Sequence, residues 1–244
     1  MGLDRRVDPS KKIAHKFMIS PLLNDLKKIE ILTVFAMIVS LSSFAQTENV
    51  FANEVKDITA KYDSIWDSSK ETIVFTGSSS IRLWRKLQDE FPDHQIINSG
   101  FGGSQAADLL LFIDELILSY NPKKVFIYEG DNDLWAKKSP TDVLSTTTEI
   151  IRRIKAKNDA TQVILISAKP SISRWKIRHK YKRLNRKMNR FAKNDPSLFY
   201  VDVWKPMLDK RKLKTDIFIE DGLHMNQKGY DIWYEAMKDL VNQP

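Results

Sequence analysis

The chain has 244 residues, 42% apolar and 29% charged, with no cysteine. That length holds one α/β domain of about 200 residues plus an N-terminal extension, large enough to bury a core without a metal or disulfide. Lack of cysteine excludes a disulfide framework, a thiolate zinc site and a cysteine nucleophile, and leaves histidine chemistry to His15, His94, His179 or His224. Three units of the +8 formal charge lie in the first 45 residues. The modest excess that remains is a matter of solubility and does not require nucleic acid as a partner.

Residues 29–46 follow Lys27 and Lys28 and carry a mainly apolar run over 31–44, short of the roughly 20 residues that span a bilayer. Ser43-Phe44-Ala45 puts small residues one and three places before Gln46. Charged flank, short apolar run and small-x-small site predict a secretory signal cleaved after Ala45, and so an exported protein, periplasmic or extracellular. A buried core helix and an uncleaved anchor are the competing readings. The basic stretch ahead of Lys27 is longer than a signal needs, which makes Met18 an alternative start.

Beyond the extension and signal (1–45) comes a helical segment over 46–70, then the main domain over 71–244. Short β-rich runs at 72–76, 95–98, 124–128, 162–166 and 198–203 alternate with helical patterns at 51–68, 104–119, 141–157, 174–194 and 226–242. This alternation predicts a parallel sheet of about five strands with helices on both faces. In such sheets ligands bind beyond the carboxyl ends of the strands, so the residues after each strand are the ones to read for chemistry.

The first strand is followed by Gly77-Ser78-Ser79-Ser80, a sharp turn into a helix start that favours developing negative charge; taken alone it reads as a helix cap. It lacks the second glycine of a Gly-x-Ser-x-Gly elbow, since Ile81 stands there. The second strand is followed by Gly100-Phe101-Gly102-Gly103-Ser104-Gln105, where Gln105 spoils a dinucleotide fingerprint. The third leads into Glu129-Gly130-Asp131-Asn132-Asp133. That loop is a turn of good turn formers, a source of an amide donor, or a carboxylate metal site without histidine. Near the C-terminus, Asp221-Gly222-Leu223-His224 offers an aspartate able to hold an imidazole in one tautomer; alone it is a loop salt bridge.

With these four loops in this order, the chain resembles the SGNH, or GDSL-type, hydrolases, from about Ile73 to the final helix. The Gly-Asp-Ser block reads Gly77-Ser78-Ser79, with Ser78 in place of the aspartate. The second block's glycine corresponds to Gly103, Gly-x-Asn-Asp to Gly130-Asp131-Asn132-Asp133, and Asp-x-x-His to Asp221 and His224. The phrase 77–84, with the later glycine and asparagine loops, looks like a bacterial subgroup that carries this serine. The resemblance implies a flavodoxin-like three-layer α/β/α sandwich and an esterase or acylhydrolase that needs no cofactor or metal. It implies Ser79 as nucleophile, His224 as base, Asp221 as its orienting partner, and Ser79, Gly103 and Asn132 as the oxyanion hole.

Arg82, Trp84 and Lys169 follow strands and are candidates for lining the substrate site. The expected substrate is a small-molecule, glycan or lipid ester. Deacetylation of a carbohydrate leads; a lysophospholipase- or platelet-activating-factor-acetylhydrolase-like activity, and an inactive carbohydrate- or lipid-binding module, are alternatives. Residues 174–193 carry ten Lys and Arg, Arg174 included. Their apolar stripe, Trp175, Ile177, Tyr181, Leu184, Met188 and Phe191, predicts packing on the sheet. The cationic face left outside is either simply solvated or meets an anionic glycan or lipid surface.

Overall fold

A computed structural model describes residues 50–243. The expected signal and its cleavage after Ala45 lie outside the described residues, as does Met18. No helix among the described residues is long and apolar enough to cross a membrane.

Helix α1 (Ala52–Asp63) precedes strand β1 (Thr72–Gly77). Short helices α2 (Ser79–Arg82) and α3 (Leu87–Glu90) lead to β2 (Gln95–Gly100). Helices α4 (Ala106–Leu111) and α5 (Ile113–Leu116) precede β3 (Lys124–Tyr128). Then come α6 (Asp131–Trp135), α7 (Pro140–Lys157), β4 (Gln162–Ile166), α8 (Arg178–Ala192) and β5 (Leu198–Val201). A two-strand hairpin, β6 (Leu208–Asp209) with β7 (Lys212–Leu213), precedes α9 (Gln227–Asn242). The five main strands are parallel, in the order β2-β1-β3-β4-β5. This is the doubly wound order whose crevice opens where the winding reverses, between β1 and β3.

The central strands β1, β3 and β4 read as mainly apolar runs because both faces are covered. Val74, Val125, Ile127, Val163 and Leu165 share one core with α1, α4, α5, α7 and α8. Ile73, Phe75, Phe126, Tyr128, Ile164 and Ile166 point the other way, onto α2, α3 and α9. Phe75 and Phe126 stack across β1 and β3 with ring centroids 4.3 Å apart. Buried Lys124 gives its ammonium to the terminal carbonyls of α9, at 2.9 Å from Leu240 and 3.0 Å from Val241, and to Gln243. The expected helix over 104–119 is broken at Phe112, which caps α4 and opens α5, and ends in a 3-10 turn, Leu118–Tyr120. The expected helix from 174 likewise begins as a 3-10 turn, Trp175–Ile177, before α8.

Candidate active site

Gly77 ends β1 at φ +126°, where a Cβ would sit 2.0 Å from the Tyr128 carbonyl oxygen, so only glycine allows β1 and β3 to approach this closely. Ser78 is buried and extended, and its N–H donates to that same carbonyl at 3.1 Å. Its side chain makes no capping hydrogen bond, and its carbonyl receives the Ile81 N–H at 2.9 Å. Ser79 is therefore the first residue of α2 rather than its cap, with an N–H that the helix itself leaves free.

The Ser79 hydroxyl lies 2.9 Å from His224 Nε2, although 145 positions separate the two in sequence. His224 Nδ1 meets Asp221 Oδ2 at 2.5 Å. The other carboxylate oxygen accepts the Leu223 and His224 N–H groups at 2.8 and 2.9 Å. Burial opposes ionisation of Asp221, but these N–H donors and the imidazole outweigh it and hold its pKa below the usual value. Gly222, at φ +62°, closes the turn, and its carbonyl accepts the Ile172 and Ser173 N–H groups at 2.8 and 3.0 Å. The base loop is thus bound to the loop after β4.

The glycine loop after β2 is held from two sides. Glu54 of α1 accepts the Gly102 N–H at 3.0 and 3.1 Å and pairs with Arg82 at 3.2 Å. Gly103 adopts φ +80°, and a Cβ there would meet no atom within 4 Å, so this backbone borders open space. Ser104 gives its hydroxyl to Glu129 at 2.7 Å, and its carbonyl accepts the Asn132 amide at 2.9 Å. Glu129 is fully buried, and burial followed by nearby Asp133 pushes its pKa well above the usual value, which favours the neutral acid.

The carboxylates after β3 do not form a metal site. Glu129 is bound to Ser104, and Asp133 accepts the Ala106 N–H at 3.2 Å. Asp131 takes Arg174 at 2.6 Å, Tyr181 at 2.5 Å and Tyr128 at 3.0 Å. Among the described residues no group of three or more metal-ligating side chains is arranged to hold an ion.

Three expectations need correction. Trp84 is 1% exposed, packed against Phe75, Tyr230 and Trp233; it is core and cannot touch substrate. Lys169 is 0% exposed and lies beneath the site rather than at its rim, donating to the Leu223 carbonyl at 2.6 Å and facing Asp131 at 3.7 Å. Arg174 does not belong to the cationic face, because it turns inward to Asp131 and Asn132. Arg82 stays half-exposed with its guanidinium against Gly102. Sequence reasoning missed three exposed apolar residues, Trp135 at the end of α6 and Ile172 and Ile219 in loops. Trp135 lies under the Arg174 guanidinium at 5.4 Å.

With this geometry in place, comparisons with known proteins are informative. The profile described as the GDSL-like Lipase/Acylhydrolase family matches residues 58–232. The chain matches none of the curated proteins. Among solved structures, a GDSL-like lipase of Bacteroides thetaiotaomicron is 22% identical, with TM-score 0.65, over 77% of this chain and 96% of that one. A Streptococcus pneumonia protein provisionally described as a platelet activating factor is 24% identical, with TM-score 0.69, over 84% and 99%. An acetyl-xylooligosaccharide esterase of Geobacillus stearothermophilus, in a mutant form, is 18% identical, with TM-score 0.59, over 71% and 95%. At these identities the likeness is one of fold.

Proposed function

Since the chain belongs to the GDSL-like lipase/acylhydrolase family and is an ester-bond hydrolase, we propose that Ser79, His224 and Asp221 form its catalytic triad. The observation that carries this reading is the continuous contact from Ser79 to His224 at 2.9 Å and on to Asp221 at 2.5 Å. His224 Nε2 takes the Ser79 proton as Oγ bonds to the ester carbonyl carbon, and Asp221 stabilises the imidazolium. The carbonyl oxygen, now an oxyanion, accepts from the N–H groups of Ser79 and Gly103 and the Asn132 amide. The alcohol leaves with the proton from His224. Water, deprotonated by His224, then attacks the acyl-enzyme, and Ser79 recovers its proton as the acid departs. No cofactor enters these steps.

The substrate in this reading is a short acyl ester, an acetyl group on a carbohydrate in the leading case. Trp135 supports it, being an aromatic 56% exposed beside the asparagine loop, suited to the apolar face of a sugar ring. Ile172 and Ile219, also exposed, favour a lipid ester as the second reading. The protein acts outside the cytoplasm if residues 29–46 are a cleaved signal. The remaining cations of α8 are open to an anionic glycan or lipid surface; binding to acidic polysaccharide or anionic vesicles that is lost in salt tests that contact.

The decisive experiment is hydrolysis of an acyl-chain series of p-nitrophenyl esters, acetylated oligosaccharides and lysophospholipids, with Ser79→Ala as blank. Activity confined to short acyl chains, abolished in Ser79→Ala and His224→Ala, is expected. Full activity in folded Ser79→Ala would overturn the nucleophile. Absence of fluorophosphonate labelling in the parent protein would favour an inactive binding module.

A further inference from the structure

An asparagine that stabilises an oxyanion has to present nitrogen, not oxygen, to the reacting atom, yet the two ends of its amide are nearly the same shape. What surrounds the amide therefore sets which end is presented. Asn132 Oδ1 accepts from Arg174 Nη2 at 3.0 Å, and Asn132 Nδ2 donates to the Ser104 carbonyl at 2.9 Å. A guanidinium only donates and a carbonyl only accepts. Flipping the amide would set N–H against N–H at one end and oxygen against oxygen at the other. One amide proton is thereby committed to Ser104, and the second remains for a ligand.

Arg174 is itself held firmly. Its side chain is only 10% exposed, and its Nη1 donates to Asp131 Oδ1 at 2.6 Å. Tyr181 donates to the same oxygen at 2.5 Å, while Tyr128 donates to Oδ2 at 3.0 Å. Lys169 lies 3.7 Å from that second oxygen and donates to the carbonyl of Leu223, the residue before His224. One buried polar network thus runs from the Asn132 amide to the loop that carries the base. A buried guanidinium is costly unless it is paired and hydrogen-bonded in this way.

We propose that Arg174 is a positioning residue of the oxyanion site, fixing the Asn132 amide with its free N–H toward the reacting carbonyl and polarising that N–H. The inference rests on the reading of Asn132 as an oxyanion donor. A cation on the amide oxygen draws electron density from nitrogen, so the N–H becomes a stronger donor as negative charge develops. The effect grows in the transition state and is weak in the ground state, so it acts on kcat and leaves KM nearly unchanged.

The test is a double-mutant cycle on p-nitrophenyl acetate hydrolysis with Arg174→Met, Asn132→Ala and the pair. Loss of the donor in Asn132→Ala should cost roughly 10²–10³-fold in kcat, and Arg174→Met on the order of 10-fold with KM little changed. The pair should be no slower than Asn132→Ala alone, because Arg174 acts only through that amide. Added guanidinium should restore rate to Arg174→Ala and not to Asn132→Ala. Losses that multiply in the pair, or an Arg174→Met protein as fast as the parent, would overturn the proposal. If Arg174→Met unfolds the chain, the same cycle run with Arg174→Lys keeps a cation beside Asp131 without the fork that also reaches Asn132, and reads the same coupling. A parent protein without esterase activity, or an Asn132→Ala variant as fast as the parent, would instead remove the functional reading beneath the inference.

Discussion

Glu54 accepts the backbone N–H of Gly102 with both carboxylate oxygens, at 3.0 and 3.1 Å. The helix before the first strand therefore anchors the loop that supplies Gly103. Gly102 offers no side chain for packing, so this carboxylate and Arg82 hold it, beside the buried Phe101 that packs on Phe51 at the start of α1. Glu54→Ala should lower kcat for ester hydrolysis on the order of 10-fold, less than outright loss of an oxyanion donor, because Gly103 drifts while the triad stays intact. Glu54 is part-exposed, so thermal unfolding should move little. Glu54→Gln, which still accepts the N–H, should recover most of the rate. Stopped-flow acylation with p-nitrophenyl acetate checks both, and an Ala variant with parental kcat would show that the loop holds itself.

Glu129 makes a pH prediction whose direction follows from its burial. Its pKa is raised in the folded protein by burial and then by Asp133, so between the unfolded value near about 4.3 and the raised value the folded state holds the extra proton. Stability must then fall as pH rises through that window, and is fullest below it. Glu129→Gln keeps an acceptor for the Ser104 hydroxyl without a titrating proton. It should unfold at a higher temperature than the parent at neutral pH and show a flatter dependence on pH. Thermal melts of both proteins from about pH 5 to 8 decide this; parallel curves would mean that Glu129 does not set the slope.

How far these features could be read ahead of the structure depends on how local their causes are. The strands at 72–76, 124–128 and 162–166 are legible because burial on both faces leaves unbroken runs of β-formers, whatever else the chain does. The break at Phe112 is not. Leu109, Ile113, Leu116 and Ile117 all enter one core, so the apolar spacing looks like a single helix while the backbone kinks to fit. Ser79 and His224 stand out only when several loops are read as one set, since each alone is an ordinary turn residue. Arg174 and Lys169 escape a local reading for a different reason. A charged side chain goes inward only where a partner waits, and Asp131 lies 43 positions from Arg174; among ten neighbouring cations nothing local singles out the one that folding buries.

Trp84 shows the same limit for an aromatic, and its new place is testable. It donates its indole N–H to Glu90 at 2.8 Å and fills the layer beneath α9 beside Tyr230 and Trp233. Trp84→Ala should cost about 3–5 kcal/mol of stability, measured by denaturant unfolding. Trp84→Phe should cost less and leave the ranking of acyl chains unchanged. A shift in acyl preference with stability intact would return this residue to the substrate site.

Lys124 closes the far end of the sheet. Its buried ammonium satisfies carbonyls of Leu240, Val241 and Gln243 at the end of α9, groups that no further turn of helix can serve. Burial lowers its pKa, yet these acceptors favour the charged form. Lys124→Met fills the same space and strands the carbonyls, which should cost about 1–3 kcal/mol. The loss should concentrate at the C-terminus, where hydrogen exchange of the last turn of α9 would quicken before that of β1 or β3. Because His224 precedes α9 and Ser79 follows β1, at the opposite end of these elements, kcat of the folded variant should match the parent. Uniformly faster exchange across the sheet would show that Lys124 supports the whole core and not one helix end.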